Sequence, residues 1–471
     1  MKIEQIYTGC LSQGAYYIES NGEAAIVDPL REVEPYIERA EKNNAKIKYV
    51  LETHFHADFV SGHLDLAKKT GAQIVYGPNA APSFEAHIAK DNEMLQVGNV
   101  KIKVLHTPGH TMESTSYLLI DEEEIERALF SGDTLFIGDV GRPDLAQKAA
   151  HMTQEELAAI LYDSLHNKIM LLPDDVIVYP AHGAGSACGK NMSRETTDTL
   201  GHQKATNYAL RKTMTKEEFV REVTTGLTPP PAYFPLNVML NKTGYESIDT
   251  VIQRGEHALS PNAFEAAANE TNALILDTRD PDVFAQGFIP NSINIGLNGN
   301  FAPWVGALIT DIKQPILIVA EPYKEEEVIT RFARVGFDNA IGYLKGGYDA
   351  WKLAGKETDT IISITASALA EKMKLTHINI LDVRKKSEFD SEHIMDAVNA
   401  PLDYINDSML LIDKNKKYYV HCAGGYRSMI FISILKARGY DNLIDVSGGF
   451  KSIKESGLFN VTDYVCPTTM L

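Results

Sequence analysis

The chain has 471 residues, a net charge of −18 and 44% hydrophobic residues, a soluble globular composition at a length that one core rarely fills, so three domains are expected. The negative charge argues against a nucleic-acid partner, and no apolar run approaches the roughly 18 residues of a membrane span. Met1-Lys2-Ile3-Glu4-Gln5-Ile6 carries no apolar signal core, and Cys10, Cys188, Cys422 and Cys466 lie too far apart for a disulfide framework; a cytoplasmic, reduced protein is expected.

The first 230 or so residues hold nearly all the histidine clusters. The strand pattern of Ile47–Glu52 runs into Thr53-His54-Phe55-His56-Ala57-Asp58-Phe59. Val100–Leu105 leads to His106-Thr107-Pro108-Gly109-His110, Ala128–Gly132 leads to Asp133, and Val176–Tyr179 leads to Pro180-Ala181-His182. Each apolar strand ends in a short turn that presents a histidine or an aspartate, and loops at one edge of a rigid sheet are where reactive groups are carried. His54, His56, Asp58, His110, Asp133 and His182 together have the imidazole and carboxylate donors of a metal site. His63, His87 and His106 read as ordinary polar residues. Phe59 stands out, because a phenyl ring cannot ligate a metal. Arg142 and Asp144 lie a short loop beyond Asp133. Cys188 follows His182 in a glycine-rich loop and has two readings: a small residue packed in a tight turn, or a second thiol near the metal that Lys190 helps to ionise. Gly226–Pro235 contains three consecutive prolines, which excludes a helix interior or central strand and marks an extended connector.

Beyond the connector the chain repeats itself. Leu274-Ile275-Leu276-Asp277-Thr278-Arg279 returns as Asn379-Ile380-Leu381-Asp382-Val383-Arg384, and Leu344-Lys345-Gly346-Gly347-Tyr348 returns as Val446-Ser447-Gly448-Gly449-Phe450, at an offset of 102 to 105 residues. That period is too long for a solenoid unit and marks a duplicated domain. Short Ile/Val/Leu runs alternate with helical segments, the pattern of a parallel α/β sheet. In the second copy a strand ends at Cys422, and Ala423-Gly424-Gly425-Tyr426-Arg427-Ser428 opens a helix. Successive backbone N–H groups of Gly424 and Gly425, the helix N-terminus and Arg427 all favour a thiolate at Cys422. The first copy has Ala320-Glu321-Pro322-Tyr323-Lys324-Glu325-Glu326-Glu327 at this place. With no cysteine, no glycine pair and an acidic loop, it is read as lacking the reactive thiol of the second copy, a spacer or an assembly surface.

Residues 1–245 resemble the metallo-β-lactamase superfamily on Thr53–Gly62, Thr107–Thr111, Ser131–Phe136, Gly141–Asp144 and Tyr179–Gly183. Within it they look most like the persulfide dioxygenases rather than glyoxalase II. The resemblance implies one Fe(II) per chain, held by His54, His110 and Asp133, with positions open for substrate and dioxygen. It makes His56, Asp58 and His182 groups that orient those ligands, and Arg142 with Asp144 a pair that shapes the site loop. Position alone leaves open which of His54 and His56 binds. The binuclear hydrolases of this fold use Asp58, a histidine at position 59, His182 and a bridging Asp133; Phe59 removes one of these.

Residues 358 to about 460 resemble the rhodaneses, through Asp382, Arg384, Glu388, His393, Gly448-Gly449 and the Cys422 loop. The resemblance implies Cys422 as sulfur carrier, a persulfide held by the loop of Ala423, Gly424, Gly425, Tyr426 and Ser428, and an anionic substrate bound with help from Arg427. The expected fold class is a multidomain α/β chain: a metallo-β-lactamase αββα sandwich at 1–245, a rhodanese-like domain without its cysteine at 250–357, and an active rhodanese domain at 358–471. The whole resembles a persulfide dioxygenase–rhodanese fusion of the sulfide-detoxification type. Its implied partners are a low-molecular-weight thiol persulfide, dioxygen, and sulfite or thiosulfate, with the direction of sulfur transfer open; a homo-oligomer is expected. Two rivals stand beside it: a zinc thiolester hydrolase of the glyoxalase II type fused to a sulfurtransferase, and a persulfide-sensing scaffold with a structural metal.

Overall fold

The computed structural model describes residues 1–190 and 192–466. Contacts divide the chain into two units, Met1–Asp249 with Phe332–Gly336, and Thr250–Arg331 with Phe337–Leu471. The first unit holds two six-stranded sheets. One runs in the order Lys2–Thr8, Gln13–Ser20, Glu23–Val27, Lys46–Leu51, Gln73–Tyr76, His87–Ile88; the other runs Asp198–Thr199, Ile177–Pro180, Glu126–Gly132, Thr115–Ile120, Val100–His106, Met94–Val97.

Strand periodicity explains why these runs are apolar throughout. Successive side chains point to opposite faces, and both faces are covered. On Glu126–Gly132, Ala128 and Phe130 enter the core shared by the two sheets. Leu129 enters the opposite core, with Ala158, Leu161 and Leu165 of the helix Gln154–Asn167 and Phe219 of the helix Lys216–Thr224. On the other sheet, Val27 and Leu51 face inward, while Ile26 and Val50 meet Tyr36, Ala40 and Leu66 from the helices Glu34–Lys42 and His63–Thr70. The result is four layers: helix, sheet, sheet, helix. Both Gln154–Asn167 and Lys216–Thr224 start with capping boxes, Thr153 with Glu156 and Thr215 with Glu218, which satisfy backbone N–H groups left bare at a helix start. The connector ends in a helix, Phe234–Thr243, with Pro235 in its first turn, where a missing N–H costs nothing.

The second unit holds two five-stranded parallel sheets with the same strand order. They run Ala258–Leu259, Ala340–Leu344, Ile316–Val319, Leu274–Asp277, Ile293–Asn294, and Ser363–Ile364, Leu443–Val446, Tyr418–His421, Asn379–Asp382, Val398–Asn399. The duplication extends to side chains. Arg279 binds both Asp277 oxygens and the Gly287 carbonyl; Arg384 binds both Asp382 oxygens and the Glu392 carbonyl. Each guanidinium lies over an aromatic ring, Tyr348 at 4.3 Å and Phe450 at 4.0 Å. No helix among the described residues is long and apolar enough to cross a membrane.

Candidate functional site

Four strand ends converge at one edge of the first unit. Lys46–Leu51 delivers Thr53 and His54, Val100–His106 delivers His110, Glu126–Gly132 delivers Asp133, and Ile177–Pro180 delivers His182. His54 Nδ1 lies 3.0 Å from the Thr53 hydroxyl, and that hydroxyl donates to Asp28 Oδ2 at 2.9 Å. A hydroxyl has one proton, so Thr53 accepts from His54 Nδ1–H and leaves Nε2 as a lone pair. His110 Nδ1 donates to the Arg142 carbonyl at 2.9 Å, which bares its Nε2 likewise. The two Nε2 atoms sit 3.8 and 3.4 Å from Asp133 Oδ2, and both Asp133 oxygens are buried without a hydrogen-bond partner. Bare acceptors facing one another in a buried site are costly, and a cation among them satisfies all three. Burial and the neighbouring imidazoles hold His54 well below its ordinary pKa, so it is neutral and ready to ligate. The residues fit a metal ion.

Two glycines permit this approach. Gly109 has φ +136°, and a Cβ there would meet the Leu161 backbone at 2.4 Å. At Gly141 a Cβ would meet the Asp133 carbonyl oxygen at 2.0 Å and His110 Nδ1 at 2.9 Å.

His56 lies beside the triad, its ring 4.3 Å from that of His54, and its ligand atom comes within 4.8 Å of those of Asp58 and His182. Its Nε2 lies 3.0 Å from Asp28 Oδ1 and 3.7 Å from Glu52 Oε2. Burial alone would lower its pKa, but Asp28, Glu52 and Asp58 outweigh that and push it up to about 9. It is a cation. Phe59, fully buried, packs on the His56 ring at 4.3 Å. Asp58 and His182 face the other side of Asp133, with His182 Nε2 3.4 Å from Asp58 Oδ2 and 3.6 Å from Asp133 Oδ1. Cys188 joins Asp133 and His182 within 4.8 Å. Burial, then Asp58 and Asp133, push its thiol up to about 12. The expected help from Lys190 is corrected: its ammonium donates to the Thr225 carbonyl at 2.6 Å instead. Arg142 and Asp144 do meet, through bonds of 3.0 and 2.7 Å. Asn241, on the helix after the connector, donates to the His56 and Phe59 carbonyls at 2.8 Å each and accepts from the Ser61 N–H. It pins the loop that carries His54 and His56, and no sequence motif announces it.

In the second unit, the strand Tyr418–His421 ends at Cys422, which is buried at the start of the helix Tyr426–Ala437. The Gly425 N–H donates to Cys422 Sγ at 3.1 Å, with Gly425 at φ +103°. Cys422 Sγ also lies 3.7 Å from the Ser428 hydroxyl, which donates to Asp445 at 2.8 Å. Arg427, which the resemblance makes an aid to anion binding, is paired with a carboxylate. Glu388 takes both its terminal nitrogens, at 2.6 and 2.8 Å, so its charge toward an anion is largely offset. Burial would raise the Glu388 carboxyl, but Arg427 more than reverses that and holds it low. Tyr426 donates to the Gly296 carbonyl at 2.7 Å, which ties the loop to the first copy. Ala320 occupies the Cys422 place, since Gly347 and Gly449 approach the carbonyl oxygens of Ala320 and Cys422 in the same way.

Comparison with known proteins gives these sites a context. The metallo-beta-lactamase superfamily matches residues 8–182, and the rhodanese-like domain matches residues 260–354 and 365–456. A solved metallo-beta-lactamase from Staphylococcus aureus subsp. aureus COL is 33% identical, with a TM-score of 0.65, over 73% of this chain and 99% of that one. The chain belongs to the metallo-β-lactamase superfamily. Its metallo-β-lactamase domain is followed by two rhodanese-like domains. A probable hydroxyacylglutathione hydrolase of Schizosaccharomyces pombe is 33% identical over 38% of this chain, and the match spans 66% of that relative's length. The mitochondrial persulfide dioxygenase of Homo sapiens is 29% identical over 46% of this chain and 78% of its own length. The four-layer first unit is thus the metallo-β-lactamase fold, and the paired five-stranded sheets are the rhodanese-like domains. Glu388 as the partner of Arg427, Asp445 behind Ser428, and Thr53 with Asp28 behind His54 escaped sequence reasoning. Glu388 stood inside the rhodanese match, and it was the one with a signal.

Proposed function

We propose that the metallo-β-lactamase domain is a mononuclear non-haem Fe(II) dioxygenase that oxidises a low-molecular-weight thiol persulfide to sulfite and thiol. The rhodanese-like domains then carry sulfur to or from thiosulfate through Cys422. The observation that carries the reading is the set of three bare donors on His54, His110 and Asp133, with Phe59 standing where a second-metal ligand is needed, on a chain that also presents Cys422. The relatives support it in part, since both a persulfide dioxygenase and hydroxyacylglutathione hydrolases are similar to this chain.

His54, His110 and Asp133 would hold the iron. When bound, Fe(II) supplies the redox chemistry between dioxygen and sulfur that zinc, without an accessible redox couple, does not. Thr53 and the Arg142 carbonyl hold the two ligand imidazoles in the right tautomer and orientation. His56, held between Asp28 and Glu52, orients the loop that carries His54. Phe59 and the buried strand ends exclude water. At the second site the Cys422 thiolate attacks a sulfane sulfur. A new S–S bond forms, the old one breaks, and its electron pair leaves with sulfite or a thiolate. Fusion in one chain keeps the reactive sulfur local.

A second reading has its own observation: Asp58, His182 and Asp133 still converge beside the triad, as a binuclear zinc thiolester hydrolase requires. Cys422→Ser tests the proposed division of labour. It should abolish thiosulfate formation and retain oxygen uptake with a thiol persulfide. Loss of oxygen uptake in the folded variant overturns the division, and thiolester hydrolysis without oxygen uptake in the unaltered protein favours the hydrolase.

A further inference from the structure

We propose that Ser428 and Asp445 form a proton relay for Cys422, in which Asp445 stores the proton that the thiol gives up. The proposal rests on Cys422 as sulfur carrier. Ser428 is the residue that touches the reacting atom; Asp445 is a positioning residue acting through it.

The geometry is a buried line of three groups. Cys422 Sγ lies 3.7 Å from Ser428 Oγ, and Ser428 Oγ lies 2.8 Å from Asp445 Oδ1. All three residues are buried. Asp445 sits at the third position of the strand Leu443–Val446, beside Val420 and Ser363 in register. A serine has a single proton to give. The Gly425 carbonyl is a second acceptor, at 3.0 Å, and Asp445 the nearer one. While the serine donates to either oxygen, only its lone pairs face sulfur, which suits a thiol and repels a thiolate. When Asp445 carries a proton it donates to Ser428, and the serine hydroxyl turns to the thiolate. The proton therefore moves from Cys422 Sγ to Ser428 Oγ as the serine's own proton moves to Asp445 Oδ1. No charge is created, and no oxidant or reductant is needed. The thiolate so formed attacks the sulfane sulfur.

Asp445 is placed for this exchange. Its carboxyl pKa is pushed up to about 6, by burial above all, with the charge of Asp282 in the first copy adding to the rise and the bonds from Ser428 and Ser363 opposing it. Arg427 is the cation near Cys422, and Glu388 holds it. An ordinary carboxylate near 4 would hold no proton at neutral pH; this one exchanges one within two units of it.

The duplicated domain supplies an internal control. Asp277, Arg279 and Asn294 keep the same bonds as Asp382, Arg384 and Asn399; that network is scaffold, retained without a cysteine. The relay is lost as a set. Ala320 replaces Cys422, and the helix opens on Glu325, Glu326 and Glu327 where Ser428 stands. Tyr343, paired with Ile318 as Asp445 is with Val420, replaces the acid. Ala258, paired with Tyr343, replaces Ser363.

The test is the pH profile of Cys422 alkylation by iodoacetamide in the full chain, followed on the Cys422 peptide by mass spectrometry. In the unaltered protein a shared proton gives a rate that falls below about pH 6 and holds a plateau above it, until the pair loses its second proton at alkaline pH. Asp445→Asn keeps the shape of the acid but not the proton acceptor; its rate should climb steadily with pH, about tenfold or more lower near pH 6.5. Ser428→Ala should show the same slope, Ser428→Thr should keep the plateau, and the double variant should be no worse than either single one. The Ser428 pair stands alone as a test where Asp445→Asn fails to fold. A plateau that survives in Asp445→Asn or Ser428→Ala, or effects that multiply in the double variant, overturns the relay. Thiosulfate-dependent persulfide formation on Cys422 of the unaltered protein is measured separately; its absence sinks the sulfur-carrier reading, whatever the profile.

Discussion

Phe59 decides more by what it packs on than by what it lacks. Its ring covers His56, which Asp28 and Glu52 flank. Phe59→His would restore the missing donor beside Asp58, His182 and Asp133, so zinc content should rise toward two per chain and oxygen uptake should fall. Metal analysis with an oxygen electrode checks both. Gly109→Ala is a second test at this scale. Its Cβ would strike the Leu161 backbone, and φ +136° disfavours any side chain. The substitution should displace His110 and leave the folded protein largely without metal, read by metal content against circular dichroism. His54, His110 and Asp133 were legible because strand-end motifs announce them. The bonds that bare their lone pairs run to Thr53 with Asp28 and to the carbonyl of Arg142, and through-space contacts of that kind leave no spacing to read. Arg427 shows the same limit: its charge was legible, and the carboxylate 39 positions away that offsets it was not.

At the scale of elements, strand patterns were legible because two-sided burial makes whole runs apolar. The strands ending at Leu51, His106, Gly132 and Pro180 fall close to where alternation and turn residues place them. The helix Gln154–Asn167 links packing to the site, since Leu161 lies in the outer core and its backbone backs Gly109. Leu161→Ala should cost about 2–5 kcal/mol of first-unit stability, and Thr153→Ala, which removes the cap, about 1 kcal/mol. Chemical denaturation followed on both variants checks the order. The helix Phe234–Thr243 was not legible: three prolines predicted only an extended connector. Pro235 in the first turn starts the helix rather than breaking it, and Asn241 then reaches the metal loop.

For the whole molecule, the duplication was readable from sequence, because glycine pairs and Asp-x-Arg motifs recur at one offset. The use made of the first copy was not. Gly296 is an ordinary glycine until its carbonyl is seen accepting from Tyr426. The cysteine-less domain thus bonds to the reactive loop of its neighbour, in keeping with the spacer or assembly surface its sequence suggested. Tyr426→Phe removes one neutral hydrogen bond of about 1 kcal/mol and should slow sulfur transfer roughly threefold to tenfold, measured as thiosulfate-dependent turnover. The central claim, one iron and one sulfur-transfer cysteine serving a persulfide, is tested most directly by loading the protein anaerobically with Fe(II), counting metal per chain, and following oxygen uptake with a panel of thiol persulfides. One iron per chain with persulfide-dependent oxygen uptake is the predicted result; two zincs per chain, thiolester hydrolysis and no oxygen uptake would contradict it.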